Sequence, residues 1–283
     1  MAPGRAAWRV AALQLTSTED VETNVETAER LIRRAASAGA DLVALPENFA
    51  YLRSEGTRIA WRVPVASEFV DRFTELAAEL KIHLLLGSFP ERVGRRRKVH
   101  NTSLLIDPRG RILARYRKLH LFDVAIPGKA EFIESKTVAA GDRPVVVDTA
   151  LGRLGLSICY DLRFPELYRR MAVAGAEVLF VPSAFTAYTG RFHWLPLLRA
   201  RAIENLCWVV APAQWGRHSE LRASHGETTV IDPWGRVVAC RRRGIGVTTA
   251  TIDLERLREI RAGLPALDHV RGDLFRRLPP RRS

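Results

Sequence analysis

The sequence predicts a mixed α/β fold in which helices pack on sheets that contain both parallel strands and hairpins. Three observations predict it. Short apolar runs rich in β-formers alternate with amphipathic helical patterns along most of the chain. Two Asp-Pro-x-Gly turns, at 107–110 and 232–235, each join a pair of β runs, which marks hairpins rather than a purely parallel sheet. Of the 283 residues, 47% are hydrophobic, enough for a large core in one domain or two small ones.

The elements follow in order. "WRVAALQL" (8–15) reads as a strand. Residues 18–40 read as an amphipathic helix, with Val21, Val25, Ala28, Leu31, Ile32 and Ala35 at three- and four-residue steps and Gly39 as its stop. "DLVALPE" (41–47) is the next strand. Residues 67–81 form a second helix with Ser67 as N-cap, and "IHLLLGSF" (82–89) a third strand. The rhythm then changes. "TSLLIDPRGRILARYRK" (102–118) is a hairpin, and 145–161 repeats that layout around Leu151-Gly152-Arg153. Strands are expected at 177–185, 207–215 and 228–241, with a helix at 192–205 that has Pro196 near its start. There is no linker and no repeat of useful period, so one domain, 1–283, is expected, ending in a loose tail at about 276–283.

Charge and cysteine usage exclude several classes. The net charge is +13 and the pI about 10.5. The arginines are dispersed, however, and the two clusters, at 91–100 and 240–244, read as solvated hairpin or loop tips, so no nucleic-acid partner is expected. The milder consequence is attraction of small anionic substrates. No run approaches the roughly 18 apolar residues of a membrane span, and no membrane partner is expected. Three cysteines make no disulfide framework, and the first residues hold no export-length apolar stretch, so a reducing cytoplasm is expected. Seven His and three Cys show no metal-ligand spacing.

Cys159 ends an apolar run and is followed at once by Tyr160, Asp161 and Arg163. A thiol there fits either core packing or nucleophilic attack. Attack on an amide needs a base for the thiol proton, a cation or N–H donors for the developing oxyanion, and a backbone that presents the sulfur at an open strand end. Two other predicted strand ends offer such groups. Glu47 follows Pro46 on an apolar floor, where burial would raise its pKa toward that of a useful base; it could equally be a helix N-terminal glutamate. Lys118, scarce among so many arginines, could donate to an oxyanion or stand on the surface.

"LPEN" (45–48), "RKLHLFD" (117–123) and "CYDLRFPEL" (159–167), in this order and spacing, resemble the carbon–nitrogen hydrolase (nitrilase) superfamily and its Glu-Lys-Cys triad. The resemblance spans residues 8 to about 275. It implies a four-layer α-β-β-α sandwich, a homodimer or higher homo-oligomer, and no metal or organic cofactor. It also implies Glu47 as general base, Lys118 as stabiliser of the tetrahedral intermediate and Cys159 as nucleophile through a thioester. The Tyr160 N–H would complete the oxyanion site. Glu134 matches the family's second glutamate, with Glu131 as competitor, and would position Lys118 and the substrate nitrogen.

Residues 182–218 and 223–239 resemble the branch that hydrolyses deaminated glutathione and, less closely, the ω-amidases that act on α-keto acid amides. Both kinds of substrate carry carboxylates beside the scissile amide, which suits Arg163, whose guanidinium can take a carboxylate in a two-point fork. Phe185, Thr186 and His193 are further candidates for the pocket wall, with core packing as the alternative. The expected partners are thus a small anionic amide and water. A true nitrilase and a non-enzymatic interaction protein on the same scaffold are the competing readings.

Overall fold

A computed structural model describes residues 5–54, 56–125 and 131–271; the expected loose tail lies outside them. Strand β1 (Ala7–Leu15) runs into helix α1 (Val21–Ser37), then β2 (Leu42–Ala44), helix α2 (Glu68–Leu80) and β3 (His83–Glu91). A meander, β4 (His100–Ile106) and β5 (Ile112–Arg117), and a short ribbon, β6 (Asp123–Ala125) with β7 (Glu131–Ile133), follow. The second half holds β8 (Val145–Thr149), β9 (Gly152–Leu156), α3 (Pro165–Val173), β10 (Val178–Phe180), α4 (Ala187–Asn205), β11 (Trp208–Ala211), β12 (Ala213–Arg217), β13 (Ala223–His225), β14 (Thr228–Ile231), β15 (Val237–Arg241), β16 (Gly246–Asp253) and α5 (Leu254–Gly263).

Two sheets result. The first has the order β13-β12-β1-β2-β3-β4-β5, with β16 also paired to β1; the second has the order β15-β14-β11-β10-β9-β8. In the first, β1, β2 and β3 are parallel neighbours, and in the second β9, β10 and β11 are. Period-two alternation divides the side chains of the first sheet. Trp8, Val10, Ala12, Leu85, Leu105 and Tyr116 face the second sheet. Ala11, Leu13, Leu15, Val43, Leu84 and Leu86 face α1 and α2, whose Leu31, Ile32, Phe73 and Leu76 complete that layer. Leu167, Met171, Trp194 and Leu198 of α3 and α4 join the core built on the second sheet. The arrangement is therefore α-β-β-α, as the resemblance implies.

The predicted elements stand with informative differences. Helix α1 buries five of the six apolar residues that its periodicity singled out, leaving Val21 half-buried at its start, with Asp20 capping the Thr23 N–H. Ser67 is at the N-cap of α2, but its hydroxyl donates to Pro64 O instead of capping the helix. Helix α4 begins at Ala187, capped by Thr186, so Pro196 lies in its interior, on the exposed side rather than near the start. The expected single strand at 207–215 is two strands: Pro212 has no N–H to give a ladder, and the chain changes sheets there, β11 lying in one and β12 in the other. The two basic clusters form the β3–β4 and β15–β16 connections. Among the described residues no helix is long and apolar enough to cross a membrane.

One close approach sets the position of the loop that follows β2. The β3–β4 register shifts between Leu86 and Phe89. A Cβ on Gly87 in that irregular stretch would overlap the backbone carbonyl oxygens of Leu45 and Pro46. The adjacent Ser88 Oγ accepts the Asn48 N–H at 2.9 Å, and Ser88 O accepts the Phe49 N–H. Gly87→Ala must push that loop away. It is expected to destabilise the protein by roughly 1–3 kcal/mol or more, the cost of overpacking a rigid neighbour, and to lower amidase turnover as well. Thermal melts and steady-state rates on the purified variant check both.

Candidate active site

Segments at one rim of the sandwich meet there. Glu47 follows the carboxyl end of β2, Lys118 follows β5, Cys159 lies beyond β9, and Ala184 lies beyond β10. In open α/β sheets such strand ends form the crevice in which ligands bind. The register fixes Lys118 further: its N–H donates to Asn101 O at 2.9 Å and its carbonyl accepts the Gly141 N–H at 2.8 Å.

The side chains form one cluster, buried except for the half-buried Glu134. Lys118 Nζ donates to Glu47 Oε1 at 2.9 Å and to Glu134 Oε2 at 2.9 Å. Glu47 Oε1 also accepts from Asn101 Nδ2 at 2.9 Å, and Oε2 accepts the Ala184 N–H at 2.8 Å. The buried Cys159 thiol lies close enough to the same carboxylate to feel its charge. Glu134 stands in a 3-10 turn after β7, where the β6–β7 ribbon brings it to Phe122, and its Oε2 accepts the Phe122 N–H at 2.7 Å. Glu131, the competing glutamate, is exposed at the start of β7.

The nucleophile candidate sits on a turn that only a fixed scaffold tolerates. Cys159 has φ +47°, in the left-handed region that non-glycine residues rarely adopt. Its N–H donates to Pro182 O at 3.0 Å. Asp161, fully buried, is the clamp. Its Oδ2 accepts from Ile158 N–H at 2.8 Å and from Tyr116 OH at 2.6 Å, while Oδ1 accepts from the His120 N–H at 3.0 Å and pairs with His120 Nδ1 at 2.7 Å. One carboxylate thus ties the Cys159 turn to the stretch that carries Lys118. The His120 ring stacks on Phe164, 3.7 Å between centroids.

The electrostatics are those of a neutral thiol beside an ion cluster. Burial and the negative charge of Glu47 push the Cys159 thiol well above its ordinary range, against the pull of Lys118. Burial works to raise Glu47, but Lys118 and the hydrogen bonds from Lys118 and Ala184 outweigh it and hold the carboxyl below the usual range. Burial works to lower Lys118, but Glu134 and Glu47 outweigh it, and the ammonium stays charged.

The cluster opens into a cavity of about 270 Å³. Tyr160, Phe185 and Thr186 line it, as expected, although the Thr186 hydroxyl is occupied with capping α4. Arg163 lines it too, its guanidinium 5.1 Å from the Phe185 ring centre and 5.7 Å from that of Tyr160. His193 does not line it: it is exposed on α4 and reaches the cavity only through Arg163, whose Nη1 is 3.2 Å from His193 Nδ1. Arg53 and Arg222, which the sequence reading passed over, line the same cavity. So did Asn101 escape it, one residue outside the expected strand, and Gln214, which holds the Glu47 carbonyl and Ser17 from below. Among the described residues no group of three His, Cys, Asp or Glu side chains is arranged to hold a metal ion.

Residues 9–262 match the carbon–nitrogen hydrolase family. The chain belongs to that family. Curated relatives are similar over nearly the whole length: a deaminated glutathione amidase of Synechocystis is 48% identical over 92% of this chain and 96% of its own, and the human deaminated glutathione amidase is 45% identical over 94% and 83%. The crystal structure of the Caenorhabditis elegans NitFhit protein superposes with a TM-score of 0.89 at 41% identity, covering 96% of this chain and 67% of that one. This member of the family is an amidase, acting with water on a small-molecule amide.

The environment of Cys159 makes a testable statement about its titration. With its pKa raised, the thiol is protonated at neutral pH, so alkylation by iodoacetamide should quicken as the pH rises into the alkaline range. Glu47→Gln removes the adjacent negative charge and should move that profile to lower pH. Lys118→Met removes the positive charge and should move it to higher pH. Mass-spectrometric rates of Cys159 alkylation against pH check both directions, and the opposite order would contradict the geometry.

Proposed function

We propose that the protein is a thiol amidase of carboxylate-bearing substrates, with deaminated glutathione as its substrate, working through a Glu-Lys-Cys triad. The observation that carries this reading is the ion cluster in which Lys118 joins Glu47 and Glu134, with Glu47 and Lys118 acting on the buried Cys159 thiol. Glu47 takes the thiol proton as sulfur attacks the amide carbon, and the carbonyl electron pair moves to oxygen. Lys118 has three N–H donors; two are held by Glu47 and Glu134, and the third faces the oxyanion together with the Tyr160 N–H. Glu134 keeps Lys118 in place. Glu47 then passes its proton to the leaving nitrogen, the C–N bond breaks, and a Cys159 thioester remains. Water attacks the thioester with Glu47 again as base, releasing the acid and restoring the thiol.

Substrate choice rests on the cations of the cavity. Arg163, stacked on Phe185, presents a planar fork for a carboxylate near the scissile amide, and His193 braces it. Glutathione without its amino group carries a carboxylate at each end, and Arg53 and Arg222 add positive charge elsewhere on the wall. The name shared by these curated relatives supports the same substrate. Three thiols free of disulfides suit a cytoplasmic enzyme. A homodimer is proposed through the outer face of α4, where Phe192 and Ile203 are exposed.

Cys159→Ala should abolish turnover with the fold intact, and Lys118→Ala or Glu47→Gln should each lower kcat by at least ~10²-fold. Residual activity above a trace in Cys159→Ala would refute the assignment. Arg163→Met should cut kcat/KM for deaminated glutathione or α-ketoglutaramate by roughly 10²-fold and affect propionamide far less. Arg163→Lys should recover only part of the loss, because it lacks the fork. Equal losses on charged and neutral amides would show that Arg163 supports the Cys159 turn instead.

A further inference from the structure

Asn101 stands where the ion cluster meets the sheet. It lies at the start of β4, is 4% exposed and lines the cavity. It touches all three charged members. Its carbonyl accepts the Lys118 N–H at 2.9 Å, and its Nδ2 donates to Glu47 Oε1 at 2.9 Å and to Glu134 Oε1 at 3.4 Å. The preceding His100 turns away and bonds Ala139 O.

The orientation of this amide is decided by its surroundings. Reversed, it would aim its oxygen at two carboxylates. As it stands, Asn101 Oδ1 is buried without a hydrogen-bond partner. An unsatisfied buried acceptor destabilises a fold, so packing alone does not account for an amide here. What the arrangement gains is a neutral donor shared by the two carboxylates. It fixes Glu47 Oε1 and Glu134 Oε1 without adding a second positive charge beside Lys118.

We propose that Asn101 is a positioning residue for the amidase reaction: its amide N–H group bridges Glu47 and Glu134, holding the base toward the Cys159 thiol and Glu134 on Lys118. The inference rests on the roles proposed for those residues. When Glu47 takes the thiol proton and rotates toward the substrate nitrogen, the Asn101 bridge limits its movement.

Two variants test it, with deaminated glutathione as substrate. Asn101→Leu keeps the size and removes the donor. It should lower kcat roughly 10- to 100-fold, the range for a misplaced catalytic group, with KM close to wild type. Asn101→Asp is the sharper probe. The ionisable residues in contact with Asn101 are Glu47, Glu134 and Lys118, whose ammonium joins the two carboxylates; Cys159, Tyr160 and Arg163 line the same cavity. A carboxyl introduced beside two carboxylates is held protonated well above its usual range. Protonated, it offers an O–H donor in place of the amide. Asn101→Asp should therefore approach wild-type kcat at mildly acidic pH and lose about tenfold per pH unit above its own pKa, where wild type shows no such decline. A residue needed only for packing would not create that limb. Thermal melts of both variants accompany the rates; should Asn101→Leu not fold, the Asn101→Asp profile still decides. Wild-type kcat in Asn101→Leu, or an Asn101→Asp profile parallel to wild type, overturns the inference. The amount of acyl group on Cys159 in wild type, measured alongside, tells failure here from failure of the thiol mechanism.

Discussion

A fully buried ammonium is the constraint on which this structure depends. Lys118 is 2% exposed, and an uncompensated charge at that depth would cost several kcal/mol. Glu47 and Glu134 compensate it, and each must be delivered from a different part of the chain. Glu47 comes from the loop after β2, which can close onto β3 because Gly87 has no side chain. Glu134 comes from the β6–β7 ribbon, which lays it on the Phe122 N–H. Asn101 arrives by sheet register, opposite Lys118. The same contacts that make the ammonium tolerable thus fix the geometry in which a thiol can react.

The thiol is placed by a separate device. Cys159 adopts a left-handed backbone conformation, and such residues persist only where the surroundings over-determine them. Asp161 provides that determination, spanning Ile158 on one side and Tyr116 and His120 on the other. It couples the two sheets at the site, since Tyr116 belongs to β5 in the first and Ile158 extends β9 of the second. The resting cluster therefore holds a neutral thiol, an ionised Glu47 and a charged Lys118. In the proposed mechanism, proton transfer to Glu47 accompanies attack, and no stored thiolate is required.

Much of this was legible along the chain, because its signals are local. The six apolar positions of α1, the Asp-Pro-x-Gly turns and the strand ends at Glu47, Lys118 and Cys159 all follow from spacing. Glu134 could be chosen over Glu131 by resemblance, and the ribbon supplies the physical reason. What escaped depends on contacts between distant segments. Pro212 read as part of one strand, although its missing N–H is where the chain leaves one sheet for the other. Strand β16 and helix α5 went unassigned, yet β16 pairs with β1 along eight registered positions. Asp161 sat inside a recognised motif with no role, since its partners Tyr116 and His120 are some forty residues away. His193 looked like a pocket wall because it lies near the start of a predicted helix, but the true start at Ala187 turns it outward.

The central claim is that Cys159 carries the acyl group between the two halves of the reaction. Rapid acid quench during steady-state turnover of deaminated glutathione, followed by intact and peptide mass spectrometry, tests it most directly. The account predicts a fraction of enzyme heavier by the acyl portion of the substrate, with the added mass on the peptide that contains Cys159. Undiminished turnover with no added mass, or added mass on Cys207 or Cys240 instead, would contradict it.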